Sequence, residues 1–480
     1  MTRSLAAPVH NERQARLAVC VVLSASFVVL ADVSVVNVAA PVIQRDLGAG
    51  VADLELTVAG YQVAYGALLV TGGRLGDIYG HRTLFMLGFT GFVLASAACG
   101  LAATPGQLIA FRVAQGATAG LLSPQVLAII QSVLPPSRRA GAFAALGAVL
   151  CLATILGPLL SGVIIWADLL GSAWRPVFLV NVPVGMVAVA LARRLLPVGS
   201  AVAGRRVDVA GTVLMAAMWV GLLVPLAVGP RAGWPTWTWL SLVAVPALAV
   251  AFLAVQRQLA AAGRDPLVPP AVWHDRAFAA GLPLNLVLFS GIVCFFLYYS
   301  IVLQAGHHLS ALLAAASTLP AALGTLVLSV LSPRLTRRWP ARQVVTAGTL
   351  ICSAGFLSML LPLALVTDSA LALWMVPSQL VAGAGFGMVM APLLDLVLAG
   401  VRTGQAGAAA GLLNTAQVIG GGLGVVVMGL IFQTAIPGGL AGATAGQLGS
   451  GLARGVLFDA AAFAACAGLL RALPTPQVRP

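Results

Sequence analysis

The chain has 480 residues, of which 60% are hydrophobic and only 8% are charged, and its formal net charge is +13. Soluble proteins carry about 25% charged residues, so this chain cannot cover a globular surface with polar groups and must use lipid as its solvent. All 26 basic residues are arginine. The absence of lysine excludes a Walker phosphate loop and Schiff-base chemistry, and no basic run suggests nucleic-acid binding.

Fourteen apolar segments are long enough to cross a bilayer as helices, since about 20 residues span its hydrocarbon core. In chain order they cover residues 17–41, 55–73, 83–103, 106–131, 140–166, 175–196, 208–229, 237–256, 277–303, 311–331, 343–365, 371–397, 407–432 and 455–473. With both termini on one side, 21 arginines lie on that side and four on the other. Arginine favours the cytoplasmic side, so we predict a multi-pass protein of the bacterial inner membrane with cytoplasmic termini.

An internal repeat accompanies these spans. The loop GRLGDIYGHR at residues 73–82 aligns without gaps with PRLTRRWPAR at residues 333–342, eight spans later. Two unrelated basic turns would also produce such a match, but repeated halves are typical of transporters. Glycine and proline crowd the spans, which allows helices to pack closely and to bend.

Several groups of motif residues follow one another in chain order. They are Asp32 and Asn37 within the segment from Ala31 to Pro41; Gly73, Asp77, Gly80 and Arg82 after span two; Arg112 and Gln115 in span four; Gly147, Gly157, Pro158 and Gly162 in span five; Trp174 and Arg175 before span six; and Gly411 and Asn414 in span thirteen. Together, and in this order, they resemble the major facilitator superfamily, specifically its fourteen-spanner drug:proton antiporter family. The resemblance covers nearly the whole chain. Ile78 and His81 depart from the usual loop motif.

The resemblance implies an all-α major facilitator fold with 14 transmembrane helices, arranged as two six-helix bundles with two inserted helices. The implied boundaries are a cytoplasmic N-terminus at 1–16, a first bundle at 17–196, the inserted pair and a cytoplasmic linker at 197–276, a second bundle at 277–473 and a cytoplasmic tail at 474–480. It also implies a functional monomer that exports cargo in exchange for protons. The loop from Gly73 to Arg82 would gate the inner mouth, and span five would carry the antiporter motif.

Two charged residues lie deep within the predicted spans, where each charge costs about 2.5–3.5 kcal/mol on insertion scales. At 1.5 Å per residue, Asp32 and Arg112 lie about 13 Å and 9 Å from the outer ends of their spans. The resemblance makes these spans neighbours across the cavity. We predict that Asp32 carries the proton and that Arg112 tunes its affinity, because a nearby cation favours the ionised carboxylate. A static ion pair is the alternative.

Other acidic residues are weaker candidates for a proton-binding role. Glu55 lies near the start of span two, where a helix N-terminus also favours an anion, and is a possible second acid. Asp395 near the inner end of span twelve is another, and it is alternatively a partner of inner arginines such as Arg402. Asp459 in span fourteen is expected to pair with Arg454.

The remaining predictions concern cargo. Asn37, Gln115 and Asn414 are assigned as possible substrate-binding residues. The sequence contains no recognisable metal site, cofactor motif or catalytic triad, so the protein is predicted not to be an enzyme. The expected cargo is a small hydrophobic drug or antibiotic. Two alternatives stay open: a metabolite uptake permease of the same fold, and a non-transporting membrane receptor or scaffold.

Overall fold

The computed structural model describes residues 12–168, 171, 174–197, 208–230, 232–264, 266–268, 270, 272, 275–398, 406–436 and 438–470. Part of the predicted N-terminal segment (residues 1–11), the tail 474–480 and Arg402, the partner suggested for Asp395, lie outside the described residues.

The described residues form helices joined by turns and loops. In chain order we label them α1 (Glu12–Leu47), α2 (Val51–Tyr79), α3 (His81–Gly100), α4 (Pro105–Val133), α5 (Pro136–Ala167), α6 (Arg175–Leu195), α7 (Val209–Val228), α8 (Thr236–Ala261), α9 (Arg276–Gly306), α10 (Ala311–Arg338), α11 (Ala341–Leu365), α12 (Val376–Leu398), α13 (Ala406–Gln433) and α14 (Ala445–Leu469). A single turn, Leu371–Trp374, precedes α12. Each predicted span coincides with one of these helices.

Thirteen helices within the described residues are long and apolar enough to cross a membrane. The helix that is not among them is α2, although it has 29 residues. Its length suffices, but Glu55, Gln62 and Arg74 reduce its apolar character. The all-helical membrane architecture is therefore confirmed, whereas the count of fourteen spans is not.

Helices α1 to α6 pack on one another, and we call them the N-terminal group. Helix α4 lies against both α2 and α3, α1 packs on α5, and α3 packs on α6. Their shared core includes Phe85, Phe89 and Phe92, all fully buried on α3. At the α2–α4 crossing a Cβ built on Gly116 would lie 2.1 Å from the carbonyl oxygen of Tyr61, so only glycine allows this approach.

Helices α9 to α14 pack on one another in the same way, and we call them the C-terminal group. Helix α12 lies between α10 and α11, α9 packs on α13, and α14 packs on α9 and α11. A Cβ on Gly424 of α13 would lie 1.9 Å from the carbonyl oxygen of Ser290 on α9. Both groups therefore use a glycine to bring two helix backbones into contact.

Several helix pairs join the two groups. Helix α2 packs along α13, α1 contacts α9, and α5 contacts the start of α10. Helices α7 and α8 form a hairpin, and α7 packs on α2 and α13 rather than separating them. A hydrogen bond of 2.8 Å between the Thr71 and Thr212 hydroxyls links α7 to α2.

The two repeated loops lie at equivalent turns. Gly80 alone separates α2 from α3, with a φ of 90° that favours glycine. Trp339 and Pro340 separate α10 from α11. The alignment places Gly80 opposite Pro340, so the repeat seen in the sequence corresponds to a repeated turn in the fold. We call the end of the bundle with these two turns the arginine-rich end.

Trp174 is fully buried, packs edge-on against Phe178 and donates a hydrogen bond of 2.9 Å to Asp46. One side-chain interpretation from the sequence is wrong. Asp459 does not pair with Arg454. That arginine binds the Thr434 hydroxyl at 2.7 Å, while Asp459 is buried against α9.

Candidate functional site

Asp32 lies at the centre of a polar cluster inside the N-terminal group. Arg112 of α4 donates a hydrogen bond of 2.5 Å to one of its carboxylate oxygens. Gln115 of α4 and Asn181 of α6 each donate a bond of 3.0 Å to the other oxygen. Asp32 and Arg112 are both 1% exposed. Three donors from two helices therefore hold a carboxylate in a position that solvent does not reach.

Arg112 has further partners that hold its guanidinium in place. Its Nη1 also binds Gln115 Oε1 at 2.7 Å, and its Nε points to the carbonyl oxygen of Thr57 at 3.4 Å. The guanidinium carbon lies 4.1 Å from the centre of the Tyr61 ring and 5.7 Å from that of Phe178. Such cation–π contacts suit arginine better than lysine, because the planar guanidinium stacks on the ring while it donates hydrogen bonds.

Asn181 extends the cluster to α3. Its amide donates to both Asp32 and the Ser96 hydroxyl, the latter at 3.0 Å, and Ser96 donates to the carbonyl oxygen of Phe178 at 2.9 Å. Four helices, α1, α3, α4 and α6, therefore converge on one carboxylate. A change in the charge of Asp32 would alter the hydrogen bonds that join all four helices.

A central cavity of about 200 Å³ lies between the two groups. Its walls come from α1, α5, α9, α10, α11 and α12. Aromatic and aliphatic side chains dominate them, and the polar lining residues are uncharged. The lining residues are Ser34, Asn37, Val38, Thr154, Ile155, Pro158, Ile292, Phe295, Phe296, Ser300, Ala314, Thr318, Ala321, Ala322, Thr325, Leu326, Phe356, Met359, Ala382, Gly383 and Phe386.

Asp32 lies beside the cavity and not in its wall. The resemblance implied that α1 and α4 are neighbours across the cavity; they are neighbours in direct contact within one group, and only α1 reaches the lining. Ser34 and Asn37 line the cavity from α1, while Asp32 points to α4 and α6. One helix thus carries the buried charge on one face and cavity residues on another.

The cavity is closed at the end away from the arginine-rich end. There Gln304 donates a bond of 2.9 Å to the carbonyl oxygen of Val38, joining α9 to α1. A Cβ on Gly162 of α5 would lie 2.9 Å from Leu312 Cα, so α5 and α10 touch through backbone. Gly147 lies on the same face of α5 as Pro158, but a Cβ there meets nothing within 4 Å. No described atom therefore approaches this face of α5 towards the arginine-rich end.

Comparison with known proteins identifies the family. The Major Facilitator Superfamily profile matches residues 22–425. The chain belongs to the major facilitator superfamily. Membership confirms the resemblance at the level of the superfamily and makes the chain a multi-pass membrane transporter rather than an enzyme.

Curated relatives of this superfamily member are antibiotic exporters and resistance proteins. It is 36% identical over 425 residues to the probable actinorhodin transporter of Streptomyces coelicolor, covering 88% of this chain and 73% of that protein. Identity is 35% to a puromycin resistance protein of Streptomyces alboniger, covering 86% of this chain and 80% of that protein. Identity is 34% to the cephamycin export protein of Amycolatopsis lactamdurans, covering 86% and 84%.

Solved structures share the superfamily fold. The xylose transporter of E. coli superposes with a TM-score of 0.66 at 13% identity, over 98% of this chain and 100% of that one. A peptide transporter of the POT family gives a TM-score of 0.69 at 14% identity, over 98% and 99%. Identities this low establish the fold alone.

The superfamily loop motif is held together mainly within the N-terminal group. His81, the departure from the usual motif, binds Gln125 Oε1 at 2.8 Å and lies 3.6 Å from Asp77. Arg82 donates a bond of 2.5 Å to the carbonyl oxygen of Arg193 at the end of α6. Gly73 faces Pro124 of α4 at ordinary contact distance. The loop thus ties α2 and α3 to α4 and α6.

The span-five motif positions α5 between the two groups. A Cβ on Gly157 would lie 2.5 Å from the Ser34 hydroxyl, so α5 packs tightly on α1 near Asp32. Pro158 lines the cavity, and Gly162 meets α10. The hydroxyl of Ser161 donates a bond of 3.3 Å to the carbonyl oxygen of Val35.

The other residues singled out from the sequence lie in three different surroundings. Asn37 lines the cavity, Gln115 belongs to the Asp32 cluster, and Asn414 is exposed on α13. Asp395 is also exposed, on α12. Glu55 is buried between the groups.

Glu55 of α2 accepts hydrogen bonds from the C-terminal group. The Tyr298 hydroxyl donates at 3.0 Å and the Gln433 amide at 3.1 Å. A Cβ on Gly429 would lie 2.0 Å from Glu55 Oε1, so glycine is needed to admit the carboxylate. The position near a helix N-terminus gave no sign of this contact, because both donors lie more than 240 residues away in the chain.

Sequence reasoning missed the aromatic wall of the cavity. Phe295, Phe296, Phe356 and Phe386 come from α9, α11 and α12 and meet at this wall. Their spacing along each helix resembles that of ordinary core residues. No local signal distinguishes a phenylalanine that faces a cavity from one that faces a neighbouring helix.

Proposed function

We propose that this protein exports small hydrophobic compounds, antibiotics among them, in exchange for protons by alternating access. The proposal rests on a buried carboxylate–guanidinium cluster that shares α1 with an apolar cavity. The relative named as a cephamycin export protein supports the outward direction of transport.

Coupling would run through α1. Protonation of Asp32 removes the negative charge that Arg112, Gln115 and Asn181 bind, which weakens the contacts among α1, α4 and α6. Because Ser34 and Asn37 lie on the same helix, movement of α1 changes the cavity. Reciprocally, cargo that moves α1 changes the proton affinity of Asp32, as linkage requires.

The proton gradient supplies enough free energy for useful export. One charge moving inward across 100 mV releases about 2.3 kcal/mol. At about 1.4 kcal/mol per tenfold ratio, this supports roughly a fifty-fold gradient of a neutral cargo that leaves at one molecule per proton.

The cavity favours neutral cargo. Its described lining residues include phenylalanine, methionine and aliphatic side chains with a few uncharged polar groups, and none of them is an acid or an arginine. A cation entering this space would lose water without gaining a counter-charge, which is costly. Asn37 is the polar lining group we assign to cargo binding, since its side-chain oxygen has no hydrogen-bond partner among the described residues.

We also propose the finer topology. Helix α2 is the fourteenth span, both termini are cytoplasmic, the bacterial inner membrane holds the protein, and the monomer is the working unit. Residues 17–196 and 277–473 act as the two rocking bundles, and 197–276 contributes α7, α8 and a linker. Support comes from the packing of α2 between α4 and α13, which a helix outside the membrane could not share with two spanning helices.

The proposed gate lies at the arginine-rich end. Gly73, Asp77, Gly80 and Arg82 hold the α2–α3 turn, which would meet the C-terminal group when this mouth closes. Among the further acids, protonation of Glu55 would weaken its bonds across the α2–α13 junction. Asp395, exposed on α12, is the other residue we propose as a second acid.

The test is export into inverted membrane vesicles with puromycin, actinorhodin and tetracenomycin C as probes. We expect an imposed pH gradient to drive accumulation of at least one probe by wild-type protein, with alkalisation of the lumen. Asp32→Asn should abolish gradient-driven export, and Asp368→Asn, which changes an exposed loop aspartate, should not.

Other outcomes would contradict parts of this proposal. Export by Asp32→Asn at the wild-type rate rejects Asp32 as the proton carrier. Equal export without any gradient rejects exchange altogether. Movement of a probe in the opposite direction would indicate an uptake permease, and no movement of any panel compound would favour a receptor or scaffold.

A further inference from the structure

A second carboxylic acid lies fully buried in the C-terminal group. Asp459 of α14 is 0% exposed and packs where α14 meets α9 and α11. The thiol of Cys294 on α9 lies 3.2 Å from one carboxyl oxygen. The other oxygen has no hydrogen-bond partner among the described residues.

No described cation pairs with Asp459. The groups that face it from neighbouring helices are the thiols of Cys294 on α9 and Cys352 on α11. Arg454, about one and a half turns away on α14, binds Thr434 instead. The α13 sequence contains no charged residue. Every side chain identified around this carboxyl group is therefore uncharged.

The position of Asp459 repeats that of the Asp32 cluster. In the N-terminal group α1, α3 and α6 converge through Asp32, Ser96 and Asn181. The internal repeat relates these helices to α9, α11 and α14, which meet at Cys294, Cys352 and Asp459. The groups differ in the cation: α4 supplies Arg112 to the first site, whereas Val376–Leu398 of its counterpart α12 contains no arginine or lysine.

Burial without a cation determines which form of the acid is stable. Moving an ionised carboxylate out of water without a counter-charge costs far more free energy than moving the neutral acid. Asp459 is therefore stable in this conformation as a protonated acid, while Asp32, held by Arg112, is stabilised as an anion. The two halves of the molecule therefore differ in whether a buried acid has a counter-charge beside it.

One layer of aromatic rings separates Asp459 from the cavity. Phe463 lies one turn further along α14 and stacks on Phe356 with ring centres 5.7 Å apart. Phe356 lines the cavity, as does Phe295, the neighbour of Cys294. Cargo or helix movement that displaces these rings would admit water to the acid.

We propose that Asp459 is a second proton-binding site, occupied in this conformation and emptied when its aromatic cover moves. The binding of a proton at Asp459 stands independently of the proposed exchange. Only the use of that proton in transport rests on it, through a second proton carried per cycle.

The test is infrared difference spectroscopy of the full-length protein in lipid vesicles, titrated with pH and without any cargo. A protonated carboxyl group gives a C=O stretching band that ionisation removes. We expect such a band at neutral pH that disappears as pH rises. It should be missing in Asp459→Asn and retained in Asp32→Asn and Asp368→Asn.

Three results would overturn the proposal: no band difference between wild type and Asp459→Asn, a band that persists unchanged over the whole pH range in which the protein stays folded, or a band lost equally in Asp368→Asn.

If Asp459→Asn does not fold, Cys294→Ser serves instead. It replaces the thiol beside the acid with a stronger hydrogen-bonding group and should shift the band and its titration midpoint; an unmoved band would reject the assignment. Because none of these measurements involves transport, failure of the exchange proposal would be seen separately.

Discussion

Asp32 and Asn37 lie about one and a half turns apart on α1 and have opposite surroundings. Asp32 receives donors from Arg112, Gln115 and Asn181, so its charge is balanced within the N-terminal group. Asn37 faces the cavity with its side-chain oxygen unbonded among the described residues. The first residue suits proton binding and the second suits cargo binding, although both are polar residues in one apolar helix.

Asn37→Asp should broaden the cargo range to cations. A carboxylate in the lining would supply the counter-charge that the cavity lacks, so we expect several-fold faster efflux of ethidium and slower efflux of neutral probes. Dye efflux from loaded cells measures this. Asn414→Asp, on an exposed face of α13, provides the comparison. Equal gains in both variants would show that Asn414 also meets cargo, and no gain in either would remove Asn37 from the binding site.

Arg112→Gln should destabilise the fold by about 3–5 kcal/mol, because it leaves the Asp32 carboxylate buried without its cation. Asp32→Asn combined with Arg112→Gln should recover much of this loss, since the uncompensated charge is gone. Thermal unfolding midpoints in detergent measure both. Strictly additive effects of the two substitutions would contradict a coupled pair.

At the scale of helices, glycines decide how closely the elements pack. Three glycines allow two helices to approach closely, because a Cβ at each position would overlap a neighbouring atom. Gly116 lies between α4 and α2, Gly424 between α13 and α9, and Gly157 between α5 and α1. In a membrane, helix association relies on this close van der Waals packing because lipid removes the hydrophobic driving force. The same contacts fix the position of Asp32 relative to the cavity wall.

Gly424→Ala should lower the thermal unfolding midpoint, because its Cβ would overlap the Ser290 carbonyl oxygen at 1.9 Å and push α13 away from α9. Gly449→Ala on α14 is the matched control. Its Cβ meets nothing within 4 Å, so alanine should stabilise the helix by about 0.5–1 kcal/mol. Equal shifts in both variants would show that the α9–α13 contact does not depend on glycine.

At the scale of the whole molecule, the contacts between the two groups are unequal at the two ends. Val38, Ala311 and Ala315 form a closed apolar cluster away from the arginine-rich end, and Gln304 bonds across it. Towards the arginine-rich end, Gly147 faces open space on the cavity side of α5. If the two groups rock against each other, the closed end would open and the arginine-rich end would close.

Single cysteines in a cysteine-free background should report this state. We expect Gly147→Cys to react quickly with a membrane-impermeant maleimide supplied at the arginine-rich end. Ala315→Cys, buried in the closed cluster, should be protected by at least tenfold in rate from reagent supplied at either end. Rapid labelling of Ala315→Cys in purified, cargo-free protein would indicate that the opposite mouth is the open one.

The sequence by itself determined what depends on local composition: the helical segments, the lipid environment, and the deep, matched placement of Asp32 and Arg112. These follow from hydropathy and helical rise, which neighbouring residues along the chain set. The tertiary structure decided which groups meet. In the structure Glu55 contacts Tyr298, and Asp459 contacts Cys294 instead of the expected Arg454. Asp32 lies outside the cavity that its own helix lines. A side chain on a helix has several possible neighbours, and only the packing of helices distant in sequence selects among them.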